Sequence, residues 1–437
     1  MFRSGAPQQA ARQPPAKSEL ADALRACRFA MVGLALFSGI INLLMLTGSF
    51  FMLQVYDRVL PSRSVPTLIG LGILAGLLFA FQGVLEVIRS RILMRIAEYL
   101  DVRLSPRVYQ AAIQLPLRAK IPGDSLQFFR DLDQIRAFIS SPGPGAFFDM
   151  PWMPIYIFVC FLFHFWIGIA AIGSVVLLVI MMLLTEGLSR RPMRAAAEQA
   201  AARNALAEAS HRNAEVIRAL GMGPTMSHLW GTANRKYLDG QQEAGNITGT
   251  LGGFSRSLRM ALQSFMLGLG AYLAIAQEAS QGVIIASSIL IARALAPVEL
   301  AIANWQQMSR ARQSWRRLTD LLNQFPDSRQ MLELPAPKAS MSVEGVTVVP
   351  PGDTRVVVHD ASFSLQAGNG LGIIGPSASG KSSLARVLVG VWLPRAGKVR
   401  LDGASLDQWT PEALGKHIGY LPQEVELFAG TIAQNIS

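Results

Sequence analysis

Six apolar segments, each about as long as a bilayer is thick, restrict what this chain can fold into. A membrane-spanning helix needs about 20 mostly apolar residues. The segments occupy residues 29–53, 65–88, 146–184 (two segments, broken near His164, Phe165 and Trp166), 258–276 and 282–303. Six buried helices of a soluble protein are the alternative, but these segments are apolar on every side. We therefore predict six membrane spans.

The links between the predicted spans differ in length and in charge. The links after the second and fourth spans are long and hold most of the basic residues, whereas the short links contribute Arg58 and Arg63. Basic residues collect on the cytoplasmic side of a membrane, so the long links and both termini are predicted to be cytoplasmic. The long links are rich in helix-forming residues and contain helix breakers at 121–124 and 221–224. These features predict helical hairpins that reverse at the breakers.

We interpret the formal net charge of +11 as part of the same accumulation of basic residues on the cytoplasmic side. A nucleic-acid-binding protein would cluster its basic residues on one face, whereas here they are spread between apolar segments. We therefore predict no nucleic-acid partner. Cys27 and Cys160 lie far apart, in or beside apolar segments, and are too few for a disulfide framework or a zinc site. We interpret both as packing residues.

Composition divides the chain into four regions. Residues 1–24 are rich in Ala, Pro, Gln and Arg, which predicts a disordered cytoplasmic tail rather than a cleaved signal. Residues 25–325 form the predicted membrane domain, and the polar, Pro-containing residues 326–340 form a linker. Residues 341–437 have a different periodicity. The predicted fold class is a polytopic α-helical membrane domain followed by a partial P-loop α/β nucleotide-binding domain.

Three short segments of the last region have the pattern of strands. Residues 343–349 and 355–365 alternate between apolar and polar side chains, and 370–374 is predicted to be a short buried strand. Residues 375–382 then match the phosphate-loop pattern G-x-x-x-x-G-K-[ST], and 383–389 are predicted to be helical. A strand before the loop and a helix after it form the context that this motif requires.

The chemistry of this loop favours a nucleotide. Glycines let backbone N–H groups point at phosphate oxygens, and the N-terminus of the following helix favours an anion. Lys381 would place its charge near the β- and γ-phosphates, and Ser382 would give its hydroxyl to Mg²⁺. A Gly/Ser turn with an exposed lysine is the alternative. The predicted ATP-binding residues are Gly375, Pro376, Ser377, Ala378, Ser379, Gly380, Lys381, Ser382 and Ser383.

Several short segments of the sequence resemble those of ABC exporters. In the last region these are the phosphate loop, Pro422-Gln423 within residues 418–428, and residues 430–436. Six spans with two long cytoplasmic links resemble one half of the exporter membrane domain. The phrases that more narrowly resemble type I secretion permease/ATPases occupy residues 53–64, 293–299 and 301–305. With only a short tail before the first span, the chain resembles the alkaline-protease exporter branch, which has no N-terminal peptidase-like domain.

This resemblance implies a mechanism and partners. Gln423 would be the catalytic glutamine that senses the γ-phosphate and approaches the metal. Coupling helices are expected near 124–129 and 224–230. ATP would close two nucleotide-binding domains of a homodimer and so drive alternating access in the bacterial inner membrane. The exported substrate would be an unfolded protein with a C-terminal signal, passed to a periplasmic adaptor (membrane fusion) protein and an outer-membrane channel.

The sequence departs from the family pattern in two ways. The family's signature, Walker B aspartate, catalytic glutamate and switch histidine come after the position of Ser437. We therefore expect this chain alone not to hydrolyse ATP at a useful rate. Pro350 stands where exporters place the aromatic residue that stacks on adenine, so adenine preference is expected to be weak or to come from another residue.

Other functions remain open. The chain could export lipids or drugs, or it could be a truncated membrane protein that binds a nucleotide without hydrolysing it. The phosphate loop argues against a channel or a solute carrier. Charged side chains in a span should face a cavity or a partner, so we hypothesise that Arg293 lines the substrate path. Asp149 and Glu299 either do the same or lie solvated at the membrane interface.

Overall fold

A computed structural model describes residues 19–118, 127–325, 334–423 and 427–436. The chain divides into two compact units, of which one comprises residues 1–109 and 123–324 and the other residues 110–122 and 325–437. The predicted reversal at 121–124 lies outside the described residues, as do residues 1–18 of the predicted tail and 326–333 of the predicted linker.

Helices make up almost all of the described part of the first unit. They are α1 (Glu19–Ala26), α2 (Arg28–Leu44), α3 (Thr47–Gln54), a π-helical turn (Val55–Val59), α4 (Leu60–Ser62), α5 (Val65–Arg118), α6 (Gln127–Ile139), α7 (Gly143–Asp149), a 3-10 turn (Met150–Trp152), α8 (Met153–Phe163), α9 (Phe165–Arg212), α10 (Ala214–Ala219), α11 (Gly223–Ile275), α12 (Gln281–Ala303) and α13 (Trp305–Gln324).

The six predicted spans are confirmed as helices. Six helical stretches of the described residues are long and apolar enough to cross a membrane: Arg28–Ser62, Val65–Arg118, Gly143–Phe163, Phe165–Arg212, Gly223–Ile275 and Gln281–Ala303. The predicted break at His164 is also confirmed. His164 has extended backbone angles, and its Nδ1 accepts a hydrogen bond of 3.3 Å from the Trp166 amide, which starts α9.

The long links are helical, as predicted, because three of the spanning helices continue far beyond a bilayer's thickness. The helices α5, α9 and α11 have 54, 48 and 53 residues, whereas about 20 suffice for a span. The helix α12 lies in the middle of the unit, with Leu290, Ile291 and Leu295 fully buried. Exposed apolar side chains such as Leu77 and Phe81 line the outside of α5, as expected of a lipid-facing surface.

Two local predictions are wrong. Residues 19–24 were expected to be disordered tail, but they belong to α1, because its apolar face buries Leu20 completely and Glu19 pairs with Arg107 at 2.9 Å. Residues 224–230 were expected to be a short coupling helix, but they are the first turns of α11. Gly221, with φ of +63°, ends the short helix α10 instead.

The second unit is built on a small antiparallel sheet. Its strands are β1 (Ser340–Val348), β2 (Val358–Gln366), β3 (Ala396–Leu401) and β4 (Ala404–Ser405), in the order β2-β1-β3-β4. Its helices are α14 (Lys381–Leu388), a 3-10 turn (Leu406–Gln408), α15 (Pro411–Gly415) and α16 (Ile432–Ile436), besides residues 110–118 of α5. Val343, Val346 and Val399 of the sheet pack with Leu384 and Val387 of α14 in one buried cluster.

The strand predicted before the phosphate loop does not form. No described strand pairs with residues 370–374, and Ile374 is 95% exposed rather than buried. A strand exists only through hydrogen bonds to neighbours, and every pairing in the described sheet joins other, antiparallel strands. The prediction of a short buried strand at 370–374 is therefore wrong.

Candidate functional site

The candidate nucleotide site is the loop that leads into α14. Gly380 precedes the helix with φ of +92°, and a Cβ there would approach the Val357 carbonyl oxygen to 2.6 Å. A glycine is therefore required at this position. The first turn of α14 is closed by a hydrogen bond of 2.8 Å from the Leu384 amide to the Gly380 carbonyl. Leu384 and Val387 anchor the helix in the core and thereby fix where its N-terminus lies.

Lys381 curls back over this loop. Its ammonium group donates to the carbonyl oxygens of Gly375 and Pro376, both at 2.7 Å. Ser379 Oγ lies at 3.4 Å from the same nitrogen. The positive charge is thus held against the loop by two neutral acceptors. Such a lysine can exchange these acceptors for a phosphate without moving its backbone.

The hydroxyl groups of the loop face outward. Ser377, Ser379 and Ser382 are exposed, and Ser383 is half-buried. The loop and the N-terminus of α14 therefore carry backbone N–H groups, three exposed hydroxyls and one cation. This donor set fits a polyphosphate, and the Ser382 hydroxyl fits a Mg²⁺ ligand.

Ala378 adopts φ of +65° in the middle of the loop. This left-handed conformation costs a residue with a Cβ about 1–2 kcal/mol, whereas glycine adopts it freely. The phosphate loop accordingly carries a local strain that a glycine at this position would avoid.

The structure does not join Gln423 to the phosphate loop. The Gln423 side chain is exposed, and no hydrogen bond links it to the loop within the described residues. Pro350, at the place of the stacking aromatic, forms part of a turn, in which its carbonyl accepts the Asp353 amide at 3.1 Å. The catalytic role of Gln423 and the question of what stacks on adenine both stay predictions.

Asp149 lies in a buried polar network and not in solvent, so the interpretation that it is solvated at the interface is wrong. Arg89 Nη1 donates to both Asp149 oxygens, at 3.0 and 3.1 Å, and Asn42 Nδ2 donates to one of them at 2.9 Å. The fully buried Tyr156 hydroxyl donates to Asn42 Oδ1 at 2.8 Å. The network ties together α2, α5, α7 and α8.

Glu299 also has cationic partners. Arg259 Nε lies 2.5 Å from one of its oxygens, and Arg256 Nε lies 4.0 Å from the other. Arg293 is exposed on α12 and has no ion pair among the described residues. Its role in a substrate path stays a prediction.

The segment 53–64 has a structural role that its sequence did not reveal. Asp57, in the π-helical turn, accepts hydrogen bonds from Ser280 Oγ at 2.5 Å and from the Gly282 amide at 2.7 Å. A carboxylate at the N-terminus of α12 stabilises the helix dipole. The hint in the sequence is an aspartate just after the first apolar segment.

The chain matches two parts of one transporter family. Residues 29–298 match the family described as the ABC transporter transmembrane region, and residues 358–436 match the family described as ABC transporter. The first match alone covers more than half of the chain. The chain therefore belongs to the ABC transporter family.

Its similarities within the family point to protein secretion. It is 54% identical to the type I secretion system ATP-binding protein PrsD of Rhizobium meliloti (strain 1021), over 95% of this chain and 72% of that protein. It is 27% identical to the toxin RTX-I translocation ATP-binding protein of Actinobacillus pleuropneumoniae and 26% to the leukotoxin translocation ATP-binding protein LktB of Mannheimia haemolytica. It spans 56% of the length of each of these two. The resemblance to type I secretion permease/ATPases is confirmed.

The fold is that of an ABC exporter. A solved bacterial Atm1-family ABC exporter with ATP bound superimposes with a TM-score of 0.78, at 20% sequence identity, covering 94% of this chain and 74% of that one. At this identity the likeness concerns the fold alone. It confirms the predicted class of a six-helix membrane domain followed by a partial nucleotide-binding domain.

Proposed function

We propose that this protein is the ATP-driven permease of a type I secretion system and exports an unfolded protein across the bacterial inner membrane. The observation that carries the proposal is the phosphate loop, with Lys381 held over it, in a chain that also contains six apolar helices. The similarity to PrsD supports protein as the cargo.

The loop residues would each contribute to ATP binding. The backbone N–H groups at the start of α14 would bind phosphate oxygens, Lys381 would exchange its carbonyl partners for the β- and γ-phosphates, and Ser382 would hold Mg²⁺. Bound Mg²⁺ would neutralise charge that develops during phosphoryl transfer. Gln423 would sense the γ-phosphate.

The assembly would be a homodimer that works with a periplasmic adaptor protein and an outer-membrane channel. The positive-inside pattern of the long links supports cytoplasmic termini. ATP-driven closure of two nucleotide-binding domains would switch the spans between inward and outward access. The apolar outer surfaces of the spans would contact lipid.

The test is nucleotide binding to the purified complete gene product. Lys381→Ala should weaken Mg-ATP binding by about 100-fold, because two charge-assisted contacts worth about 1.5 kcal/mol each are lost. Lys398→Ala removes an exposed lysine of β3 and is the matched control, expected to bind as the unaltered protein does. Unchanged ATP binding by Lys381→Ala would contradict the proposal.

A secretion assay decides between cargo classes. Cells that carry the protein, its adaptor and its channel should release a protein with a C-terminal signal, and Lys381→Ala should abolish that release. Transport of lipids or drugs without protein release would favour the other exporter class. Binding of Mg-ATP by the complete gene product without turnover would favour a non-hydrolysing membrane protein.

A further inference from the structure

A fully buried carboxylate, Asp131, joins α6 to α13. It accepts hydrogen bonds from Nε and Nη2 of Arg317, at 2.8 and 2.6 Å, and from Ser314 Oγ at 2.9 Å. Gln127, one turn earlier on α6, donates to it at 2.9 Å. Because the guanidinium binds both carboxylate oxygens, the pair fixes the relative orientation of the two helices as well as their distance.

Stability alone does not explain this buried charge. Asp131 is fully buried, whereas the Arg317 side chain is 39% exposed, so the carboxylate bears most of the cost of desolvation. Leu132 and Ile135 of α6 and Leu318 and Leu321 of α13, close to the pair in sequence, are buried and apolar. An apolar pair of similar volume could fill the same space, and such replacements of buried ion pairs are often neutral or stabilising. What the ion pair adds is a single register, because the bidentate contact is satisfied in only one arrangement of α6 against α13.

The two helices have special places along the chain. Helix α6 begins at Gln127, so its first residues fall within the expected first coupling region, 124–129. Helix α13 ends at Gln324, and the next residue begins the part of the chain that forms the second unit. The chain passes between the units at 109/110, 122/123 and 324/325. A contact that locks α6 to α13 therefore connects the helices that lie nearest in sequence to the last two of these passages.

We infer that the Asp131–Arg317 pair makes α6 and α13 move as one body and thereby couples ATP hydrolysis to export. Asp131 and Arg317 are positioning residues, since they act by holding α6 against α13 and not by binding nucleotide or cargo. The inference rests on the proposed function. It adds to that function a specific mechanical link, which can fail while ATP binding and hydrolysis persist.

The test separates hydrolysis from secretion in the complete gene product. For Asp131→Asn and Arg317→Gln, we expect secretion to fall at least about tenfold while ATP hydrolysis stays within about twofold, so the ATP used per exported protein rises. Asp133→Asn is the matched control. It removes one partner of the exposed Asp133–Arg136 pair, two residues further along α6, and should leave both activities unchanged.

Three results would overturn the inference: unchanged secretion, a proportional fall of secretion and hydrolysis, or an equal effect of the control. If the neutral variants do not accumulate in the membrane, Arg317→Lys replaces them. It keeps the charge but not the two-pronged contact and should still raise the ATP used per exported protein. If this variant also fails to accumulate, the pair serves folding and the inference is wrong. Failure of the unaltered protein to secrete would instead contradict the proposed function.

Discussion

The methyl group of Ala378 strains the backbone of the phosphate loop. The φ of Ala378, +65°, lies in the left-handed region, which a residue with a Cβ adopts only with strain. Gly380 is more tightly constrained, because a Cβ at this position would lie 2.6 Å from the Val357 carbonyl oxygen. The loop thus contains one position that tolerates a methyl group at a cost and one that tolerates none.

We expect Ala378→Gly to stabilise the nucleotide-binding unit by about 1 kcal/mol, because the left-handed backbone is no longer strained. Thermal unfolding of the purified protein measures this as a raised Tm, and Mg-ATP binding should be kept. The control is Ala385→Gly in the middle of α14, which should lower stability by about 0.5–1 kcal/mol. If both changes destabilise equally, the strain argument for Ala378 fails.

Some residues of the site could be predicted and others could not. The sequence alone singles out the loop 375–383 because the phosphate-binding motif is local, and its role in binding ATP stays a prediction. The pairing of Arg89 with Asp149 was not predictable, because it joins residues 60 positions apart and no local pattern encodes such a contact. Nor could the sequence show that Lys381 rests on two backbone carbonyls, since this depends on how the loop curls.

Asp402 makes the sheet unit sensitive to acid. The backbone N–H groups of Lys338 and Ser340, and then of Ala339, donate to its carboxylate and hold the pKa of Asp402 below its usual range. Because the folded pKa is the lower one, its stabilisation is present above the unfolded pKa of about 3.9 and is lost as pH falls through the folded value. We expect the Tm to decrease with falling pH in that range.

Asp402→Asn should remove this part of the acid dependence. Asparagine tolerates the φ of +46° at this position, so the turn itself should survive. Asp407→Asn, at an exposed aspartate of the same unit, is the control and should keep the acid transition. An unchanged dependence of Tm on pH in Asp402→Asn would contradict this assignment.

At the level of elements, long helices were predictable and short ones were not. The spans have strong apolar runs of bilayer length, so their existence followed from composition alone. The short helix was predicted after the Gly-rich breaker, at the start of α11, but it lies before the breaker as α10. A breaker shows that a helix ends, but it does not show whether the short helix precedes or follows it. The strand predicted at 370–374 does not form, because a strand depends on pairing partners that its own residues do not encode.

The network around Asp149 connects four helices, and the stability that it provides should depend on the charges of both Asp149 and Arg89. We expect Asp149→Asn or Arg89→Gln alone to destabilise the protein by about 2–3 kcal/mol, since each leaves the partner charge poorly matched in a mostly buried site. The double variant should lose less than the sum. Titration of the solubilised protein with SDS, followed by the loss of helicity, completes this double-mutant cycle.

A surface pair provides the reference for this cycle. Arg194 and Glu198 form an exposed i,i+4 pair at 3.2 Å on α9, and removing either should cost no more than about 0.5 kcal/mol. Full additivity of the Asp149 and Arg89 variants would show that the two charges act independently and would refute their role as a buried pair.

For the whole molecule, orientation in the membrane decides which side receives ATP. The spans are joined alternately by short turns and by long helical extensions. Ser62 lies at one of the short turns, and Thr225 lies where the long extension of α11 begins. The basic residues lie on the long extensions, and this asymmetry orients a multi-span protein. With six spans, the phosphate loop would lie on the same side as the N-terminus.

Labelling of single cysteines tests this orientation. Cys27 and Cys160 are both buried, and both would first be replaced by alanine. A membrane-impermeant maleimide should then label Ser62→Cys in cells whose outer membrane is opened, but Thr225→Cys only after the inner membrane is opened as well. Both positions are exposed, so the difference would come from the membrane and not from burial. Labelling in the opposite order would place the phosphate loop outside the cytoplasm, away from ATP, and would contradict the proposed export mechanism.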